Sequence, residues 1–208
     1  MYDLSPAELR VLGSLLEKQR TTPDTYPLTL NGLRAACNQS TNRDPVVQYD
    51  EETIRNALHQ LGKRRWTRLA SGHGSRAAKY RHLLEEELRV SRPEQALLAV
   101  LMLRGPQTPG ELLQRTERLY HFANSDELQQ VMDALIERDM VVRLSRRPGQ
   151  REERYAQLLG GDAPPEEDEP FVAAPPPADD RIGRIERELA DMRAQVDELR
   201  SMLTGSGQ

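Results

Sequence analysis

Four histidines and one cysteine are the side chains of this sequence best suited to nucleophilic, acid–base or metal chemistry. Cys37 has no second cysteine for an intrachain disulfide, and a lone thiol is too few for a zinc site. His59, His73, His82 and His121 form no pair at a metal-binding spacing, and the sequence has neither a phosphate-binding glycine loop nor a nucleophile elbow. We therefore predict that the protein is not an enzyme and uses no metal and no cofactor.

Basic and amide side chains around residue 60 suit a different chemistry, the recognition of double-stranded DNA. Residues 1–90 carry 14 Lys and Arg against 11 Asp and Glu, so this part is basic although the whole chain has a net charge of −4. Lys and Arg neutralise phosphates, and Arg and Asn form paired hydrogen bonds with base edges. A solvated polar face is the alternative interpretation. The candidate DNA-binding residues of this part are Arg55, Asn56, His59, Lys63, Arg65, Arg68, Arg76 and Lys79.

A second basic cluster follows residue 140. Its candidate DNA contacts are Arg146, Arg147 and Arg151, and Glu152 and Glu153 dilute its charge. The predicted helix before it is acidic on its outward face, where a helix that reads a DNA groove should be basic. Three interpretations stay open: a hairpin that contacts phosphates without a reading helix, a contact with another protein, and a solvated surface.

An amide-rich loop, Asn-Gln-Ser-Thr-Asn-Arg at residues 38–43, separates the predicted second and third helices. A helix-turn-helix unit normally has a short turn at this place. Asn38, Gln39, Asn42 and Arg43 are therefore candidates for a recognition site. The alternative is that the amides satisfy backbone groups within a long turn.

Three helices and a hairpin are predicted to position these side chains. Ser5-Pro6-Ala7-Glu8 is a capping box that begins the first helix. Apolar residues at helical spacing predict a second helix over residues 28–37, and Asp50 caps a third helix that ends near Gly62. Two short strands around the turn-rich segment 71–75 form the hairpin. This order of elements is typical of a winged-helix domain.

The same order of elements returns in the next seventy residues. Capping boxes at Ser91 and Thr108 begin two helices, a third helix carries an apolar stripe, and two short strands follow. We predict a mainly α fold with small β-hairpins (α+β), built from two tandem winged-helix domains. Domain 1 spans residues 1–88 and domain 2 spans residues 89–159.

The C-terminal quarter of the sequence has no such pattern. Residues 160–180 are rich in Pro, Ala and acid, which predicts a disordered linker because this composition buries too little surface to fold alone. Residues 181–204 carry apolar side chains at alternating spacings of three and four, as in a coiled coil. A seam of only about three heptads needs a partner helix, so we predict a homodimer. The seam residues are Ile182, Ile185, Leu189, Met192, Val196, Leu199 and Leu203.

Short segments of the first half carry a resemblance to a known family. They are Leu9-Arg10-Val11-Leu12-Gly13, Glu17-Lys18-Gln19, Thr22-Pro23, Tyr26-Pro27-Leu28, Asn31, Ala36-Cys37-Asn38-Gln39 and Asn42-Arg43. Over roughly residues 2–159 the chain resembles the YceH-like family of uncharacterised bacterial proteins. The resemblance implies a tandem winged-helix fold in a Gram-negative bacterium and adds weight to a role for the loop at residues 38–43. It implies no activity.

Two functions remain as hypotheses. The first is a DNA-associated regulator that dimerises through its C-terminal helix, and the second is a scaffold that binds another protein and no DNA. No stretch approaches the roughly 18 consecutive apolar residues of a membrane span, and the N-terminus lacks the pattern of a secretion signal. We therefore expect a cytoplasmic protein with no membrane contact.

Overall fold

The computed structural model describes residues 2–70, 77–146 and 152–161 of the chain. Within these ranges the fold is mainly helical with two small antiparallel sheets. The elements of the first half are α1 (Pro6–Thr21), a 3-10 turn (Pro23–Thr25), β1 (Leu28–Thr29), α2 (Leu30–Cys37), α3 (Glu51–Lys63), β2 (Thr67–Leu69) and β3 (Lys79–His82). Those of the second half are α4 (Leu84–Leu88), α5 (Arg92–Arg104), α6 (Pro109–Thr116), α7 (Ser125–Glu137), β4 (Val141–Leu144) and β5 (Arg154–Gln157).

The helices begin at the capping residues that the sequence predicts. Ser5, Ser91 and Thr108 form capping boxes, in which the third helical residue is a glutamate that bonds back to the cap. Helix α2 differs from its prediction because it begins two residues late. The hydroxyl of Thr29 accepts a hydrogen bond from the backbone N–H of Gly32 at 3.1 Å, so Thr29 is the cap and the residues before the helix are free to form β1.

Strand β1 connects the helices to the hairpin. It pairs with β3, which also pairs with β2, so the strand order in the first sheet is β1-β3-β2. The second half repeats this arrangement in reduced form: β4 pairs with β5, and Gln107, just before α6, makes an isolated bridge to Tyr155 of β5. In each half the segment before the second helix therefore lies against the last strand.

Helices α3 and α7 end in the same way. After α3 the N–H of Trp66 bonds to the carbonyl of Leu61 at 2.9 Å, and Arg65 between them has a left-handed backbone with φ 62°. After α7 the N–H of Met140 bonds to the carbonyl of Leu135 at 3.0 Å, across a left-handed Asp139. This is the Schellman pattern, which usually has glycine at the left-handed position. The repeat is therefore structural although the residues differ.

The two halves share one hydrophobic core, in which α1 packs against α5. The contact is close at Gly13, where an added Cβ would lie 3.2 Å from the Cβ of Met102 and 3.0 Å from the Cγ of Leu103. A hydrogen bond of 2.9 Å from Leu4 N–H to the carbonyl of Leu159 joins the start of the first half to the end of the second. The division into domains at residues 88 and 89 stays a prediction.

The predicted linker and coiled coil lie almost wholly outside the described residues. Only Gly160 and Gly161 of the predicted linker are described, and Gly160 packs so closely on α1 that an added Cβ would lie 2.8 Å from the Cδ1 of Leu9. These two glycines therefore continue the folded unit. The seam residues from Ile182 to Leu203, and the dimer they predict, stay predictions.

Candidate nucleic-acid interface

A groove of about 540 Å³ lies between α3 and the strands β2 and β3. Helix α3 contributes one wall and the paired strands contribute the other. Among the described residues that line it, four can carry a positive charge and none is acidic. The lining residues are Arg55, Leu58, His59, Gly62, Lys63, Thr67, Arg68, Leu69 and Tyr80.

The periodicity of α3 turns its polar side chains to solvent, where Arg55, His59 and Lys63 line the groove and Asn56 lies outside its lining. Ile54, Ala57, Leu58 and Leu61 are buried on the face that packs on the core. The residues between them face outward, because 3.6 residues make one turn of a helix. Exposed side chains of α3 accordingly include the predicted Arg55, Asn56, His59 and Lys63.

The positive charge of the groove is only partly neutralised. Arg55 forms an ion pair with Glu51, one turn earlier on α3, at 2.5 Å. Both side chains are more than half exposed, and an exposed pair of this kind contributes little stability. The pair with Glu51 therefore leaves Arg55 able to bind another acceptor. In the part of the chain that the structure describes, His59, Lys63 and Arg68 form no ion pair.

The hairpin adds one charge and one apolar side chain to the groove. Arg68 is exposed on β2, and its neighbour Leu69 is 60% exposed, which is high for a large apolar residue. Lys79 begins β3, on the partner strand. Arg65 is exposed at the Schellman turn rather than in the groove. Arg76 lies outside the described residues.

The loop at residues 38–43 is tied to the core by Arg43. The Arg43 side chain is fully buried and forms a two-point ion pair with Glu17 of α1, at 2.6 and 3.1 Å. It also donates to the carbonyl of Ala36 and to the amide oxygen of Gln39. Burial would raise the pKa of Glu17, but the bonds and charge of Arg43 outweigh it and hold that pKa below its ordinary value.

The two asparagines of the loop have structural partners as well. Asn38 makes a pair of hydrogen bonds with the backbone of Tyr49, at 2.8 and 2.9 Å, and so closes the loop just before α3. Asn42 has a left-handed backbone with φ 59° and accepts a hydrogen bond from Arg104 of α5. These contacts favour the interpretation that the amides satisfy groups within a long turn. A role of the loop in recognition stays a prediction.

Acidic neighbours surround the described part of the second basic cluster. Arg143 of β4 lies between Asp133 and Glu153, and Arg154 of β5 pairs with Glu111 at 3.3 Å. The outward face of α7 exposes Asp126, Gln130, Asp133 and Glu137, which agrees with the predicted acidic face. Arg146 is exposed, whereas Arg147 and Arg151 lie outside the described residues.

Cys37 and His82, two of the side chains suited to reactive chemistry, are buried in the first half. Burial raises the pKa of the Cys37 thiol to about 11 and lowers the pKa of His82 to about 4. His82 bonds to Gln19 at 2.7 Å, and its backbone N–H donates to the hydroxyl of Tyr26. Within the described ranges no cluster of His, Cys, Asp and Glu could hold a metal ion.

The fold and this groove define a class of protein: a chain of two helix-helix-helix-hairpin halves with one shared core and a basic groove on the first half. The profile of a family described as "Protein of unknown function, DUF480" matches residues 4–150. The chain belongs to this family. No helix in the described part of the chain is long and apolar enough to cross a membrane.

The similarity to named relatives extends along nearly the whole length of the chain. A UPF0502 protein of Solibacter usitatus is 44% identical over 96% of this chain and 97% of its own. A UPF0502 protein of Geotalea daltonii is 47% identical over 89% of this chain and 88% of its own. UPF0502 protein YceH of Escherichia fergusonii is 42% identical over 95% of this chain and 96% of its own. The predicted resemblance to the YceH-like family is therefore confirmed.

Proposed function

We propose that this protein is a non-enzymatic, DNA-associated regulator with two winged-helix domains, which dimerises through its C-terminal helix. In the proposed complex α3 is the recognition helix and the β2–β3 hairpin is the wing. Arg55, Asn56 and His59 contact base edges, while Lys63 and Arg68 contact phosphates. The second domain contributes the phosphate contacts of its hairpin but no reading helix.

The order and pairing of the elements support the winged-helix part of the proposal. Each half has three helices followed by two antiparallel strands, and a short segment before the second helix pairs with the last strand. A helix-turn-helix unit of this kind inserts its last helix in the major groove. In the first half that helix is α3.

The observation that carries the proposal is the charge of the α3 groove. Its described lining has four side chains that can be positive and none that is negative, and the one ion pair there joins two exposed groups. Glu51 and Glu52 lie at the start of α3 and do not line the groove themselves, although Glu51 pairs with the lining residue Arg55. DNA would therefore approach along the last turn of α3, where Lys63 lies, and along the adjacent strand β2, which carries Arg68.

The test is fluorescence anisotropy of the full chain with a mixed-sequence DNA duplex, titrated at low and at physiological salt. Each phosphate contact releases a counterion, so affinity should fall steeply as salt rises. We expect the double variant Lys63→Ala/Arg68→Ala to weaken binding. It should also lower the slope of log affinity against log salt concentration by about 2, one for each lost phosphate contact. Arg34→Ala, which removes an exposed charge from α2, is the matched control and should change neither quantity.

Two results would overturn the proposal. One is the absence of binding at low salt, and the other is binding that is equally strong in the Lys63 and Arg68 variant. An Arg146→Ala variant then distinguishes the contributions of the two halves to DNA binding. If only this variant loses binding, DNA is held by the second hairpin and not by α3.

A protein-binding scaffold is the second candidate, and two exposed features favour it. Leu69 is 60% exposed and Val46 is 53% exposed, and large apolar side chains of this exposure are typical of the core of a protein interface. The acidic face of α7 would suit a basic partner. Binding to such a partner with an apolar interface need not depend steeply on salt, which separates this hypothesis from the first.

A further inference from the structure

A second polar crevice, of about 410 Å³, lies between the two halves and apart from the α3 groove. Four parts of the fold meet there: α1, the loop at residues 38–43, α5, and the end of α6 with the turn that follows it. No residue lines both the crevice and the groove. Its lining residues are Glu17, Thr21, Asn42, Val100, Leu103, Arg104, Gln114, Arg115, Arg118 and Leu119.

Three arginines make the crevice positive. Its single lining carboxylate, Glu17, is already held at two points by the buried Arg43. Arg115 has a carboxylate partner, Glu111, at 3.3 Å. Arg104 donates only to the neutral amide of Asn42, and Arg118 is exposed and forms no ion pair in the described part of the chain. Among the described residues the guanidinium groups of Arg104 and Arg118 therefore form no ion pair, although the charges of Glu17 and Glu111 also act on Arg104.

The arginines are close enough to affect one another. Burial lowers the pKa of Arg104 and the charges of Arg115 and Arg43 lower it further, while the charges of Glu17 and Glu111 only partly oppose them. A bound anion would relieve this repulsion. The planar guanidinium group also presents paired donors that match phosphate oxygens.

One part of the crevice wall is apolar. Val100 and Leu103 belong to the buried core, and Leu119 packs against it from the turn after α6. A volume of about 410 Å³ lies within the roughly 300–1,000 Å³ of small-molecule sites. The crevice thus has positive groups for an anionic end of a ligand and an apolar surface for the rest of it.

We propose that this crevice binds a small phosphorylated molecule, with Arg104 and Arg118 on its phosphate groups and Val100, Leu103 and Leu119 against its apolar portion. The proposal does not depend on DNA binding, since it uses none of the residues of the α3 groove. Asn42 would give up its bond with Arg104 when the phosphate arrives. Arg115 attracts the phosphate through its charge, without a direct contact.

The experiment is isothermal titration calorimetry of the full chain with pyrophosphate and with ATP. We expect saturable binding at one site per chain, tighter for ATP because its base can pack on the apolar wall. Arg118→Gln should weaken binding of both probes by about tenfold or more, the usual effect of a lost charge-assisted hydrogen bond. Because Arg118 is exposed, this variant should unfold at the same temperature as the unmodified chain. Arg104→Gln should have the same effect on binding.

Matched controls distinguish binding at the crevice from binding at the α3 groove. Arg34→Gln, on α2 and outside both, should leave binding unchanged. Arg68→Gln removes a charge from the α3 groove and should also leave it unchanged. The proposal is overturned if neither probe gives saturable binding, or if Arg68→Gln abolishes binding while Arg104→Gln and Arg118→Gln retain it.

Discussion

His82 is a single side chain whose protonation is coupled to the stability of the whole first half. It is 3% exposed at the end of β3, and its ring bonds to Gln19. Burial, and to a smaller extent the charges of Arg20 and Arg81, lower its pKa to about 4, although Glu86 opposes them. An unfolded chain would hold the same histidine near its ordinary pKa of 6.5.

A dependence of stability on pH follows from that difference. Between pH 6.5 and 4 the unfolded state binds a proton that the folded state does not, so stability is lost as pH falls through this window. We expect the free energy of unfolding to fall by about 2 kcal/mol from pH 7 to pH 5. Urea denaturation at the two pH values measures it. His82→Gln should remove most of the difference, whereas the exposed His121→Gln should not; equal stability of the unmodified chain at both values would contradict the prediction.

Arg43 is a second residue whose burial has a measurable consequence. Its side chain is fully buried and holds both Glu17 and the carbonyl of Ala36. Removal of one partner from a buried ion pair leaves the other charge uncompensated. We expect Arg43→Met to lower the free energy of unfolding by about 3 kcal/mol in urea denaturation at pH 7. Arg34→Met, at an exposed site, should change it by less than about 0.5 kcal/mol. A small effect at Arg43 would contradict the structural role of the loop.

At the scale of elements, the contact between α1 and α5 determines how the two halves pack. Gly13 permits it, because an added Cβ would lie within 3.0 to 3.2 Å of Leu103 and Met102. Gly62, in α3, is a glycine of the opposite kind, since nothing lies within 4 Å of an added Cβ. Gly13 lies inside α1 and Gly62 in the last turn of α3, and both have a helical backbone, so alanine gains helix propensity at each position.

These two glycines make a matched pair for a stability measurement. We expect Gly62→Ala to raise the free energy of unfolding by about 0.5–1 kcal/mol, from helix propensity alone. Gly13→Ala should lower it by about 1 kcal/mol, since crowding between helices exceeds that gain. Thermal and urea denaturation give both values. Equal stabilisation by Gly13→Ala and Gly62→Ala would contradict this prediction, because it would mean that α1 and α5 can move apart without losing packing energy.

At the scale of the whole molecule, we predict that the oligomeric state depends on residues 181–208. The apolar seam predicts that the full chain is a dimer and that a chain ending at residue 180 is a monomer. Light scattering coupled to size exclusion measures both masses. Leu189→Asp, on the seam, should give a monomer, while Ala194→Asp adds the same charge off the seam and should leave a dimer. A dimeric chain ending at residue 180 would place the interface elsewhere.

Local signals along the sequence sufficed for most elements of the folded part, but neither β1 nor the short helix α4 was predicted. Capping boxes at Ser5, Ser91 and Thr108 marked three helix starts, and the apolar stripe of α3 determined which of its side chains face solvent. Such signals act over three or four residues, so they can be read without knowledge of the fold. The short strand β1 was not predicted, because a pair of residues becomes a strand only through its partner in β3.

Contacts between side chains that are far apart in the sequence depend on the tertiary structure alone. The sequence itself determined the order of the helices and hairpins and the basic character of the first half. Only the fold brought Arg43 to Glu17, 26 residues away, and Arg104 to Asn42, 62 residues away, so that one arginine became buried and the other came to line a crevice. The physical reason is range: capping and periodicity are local, whereas burial and charge pairing depend on which segments the packing of α1 against α5 brings together.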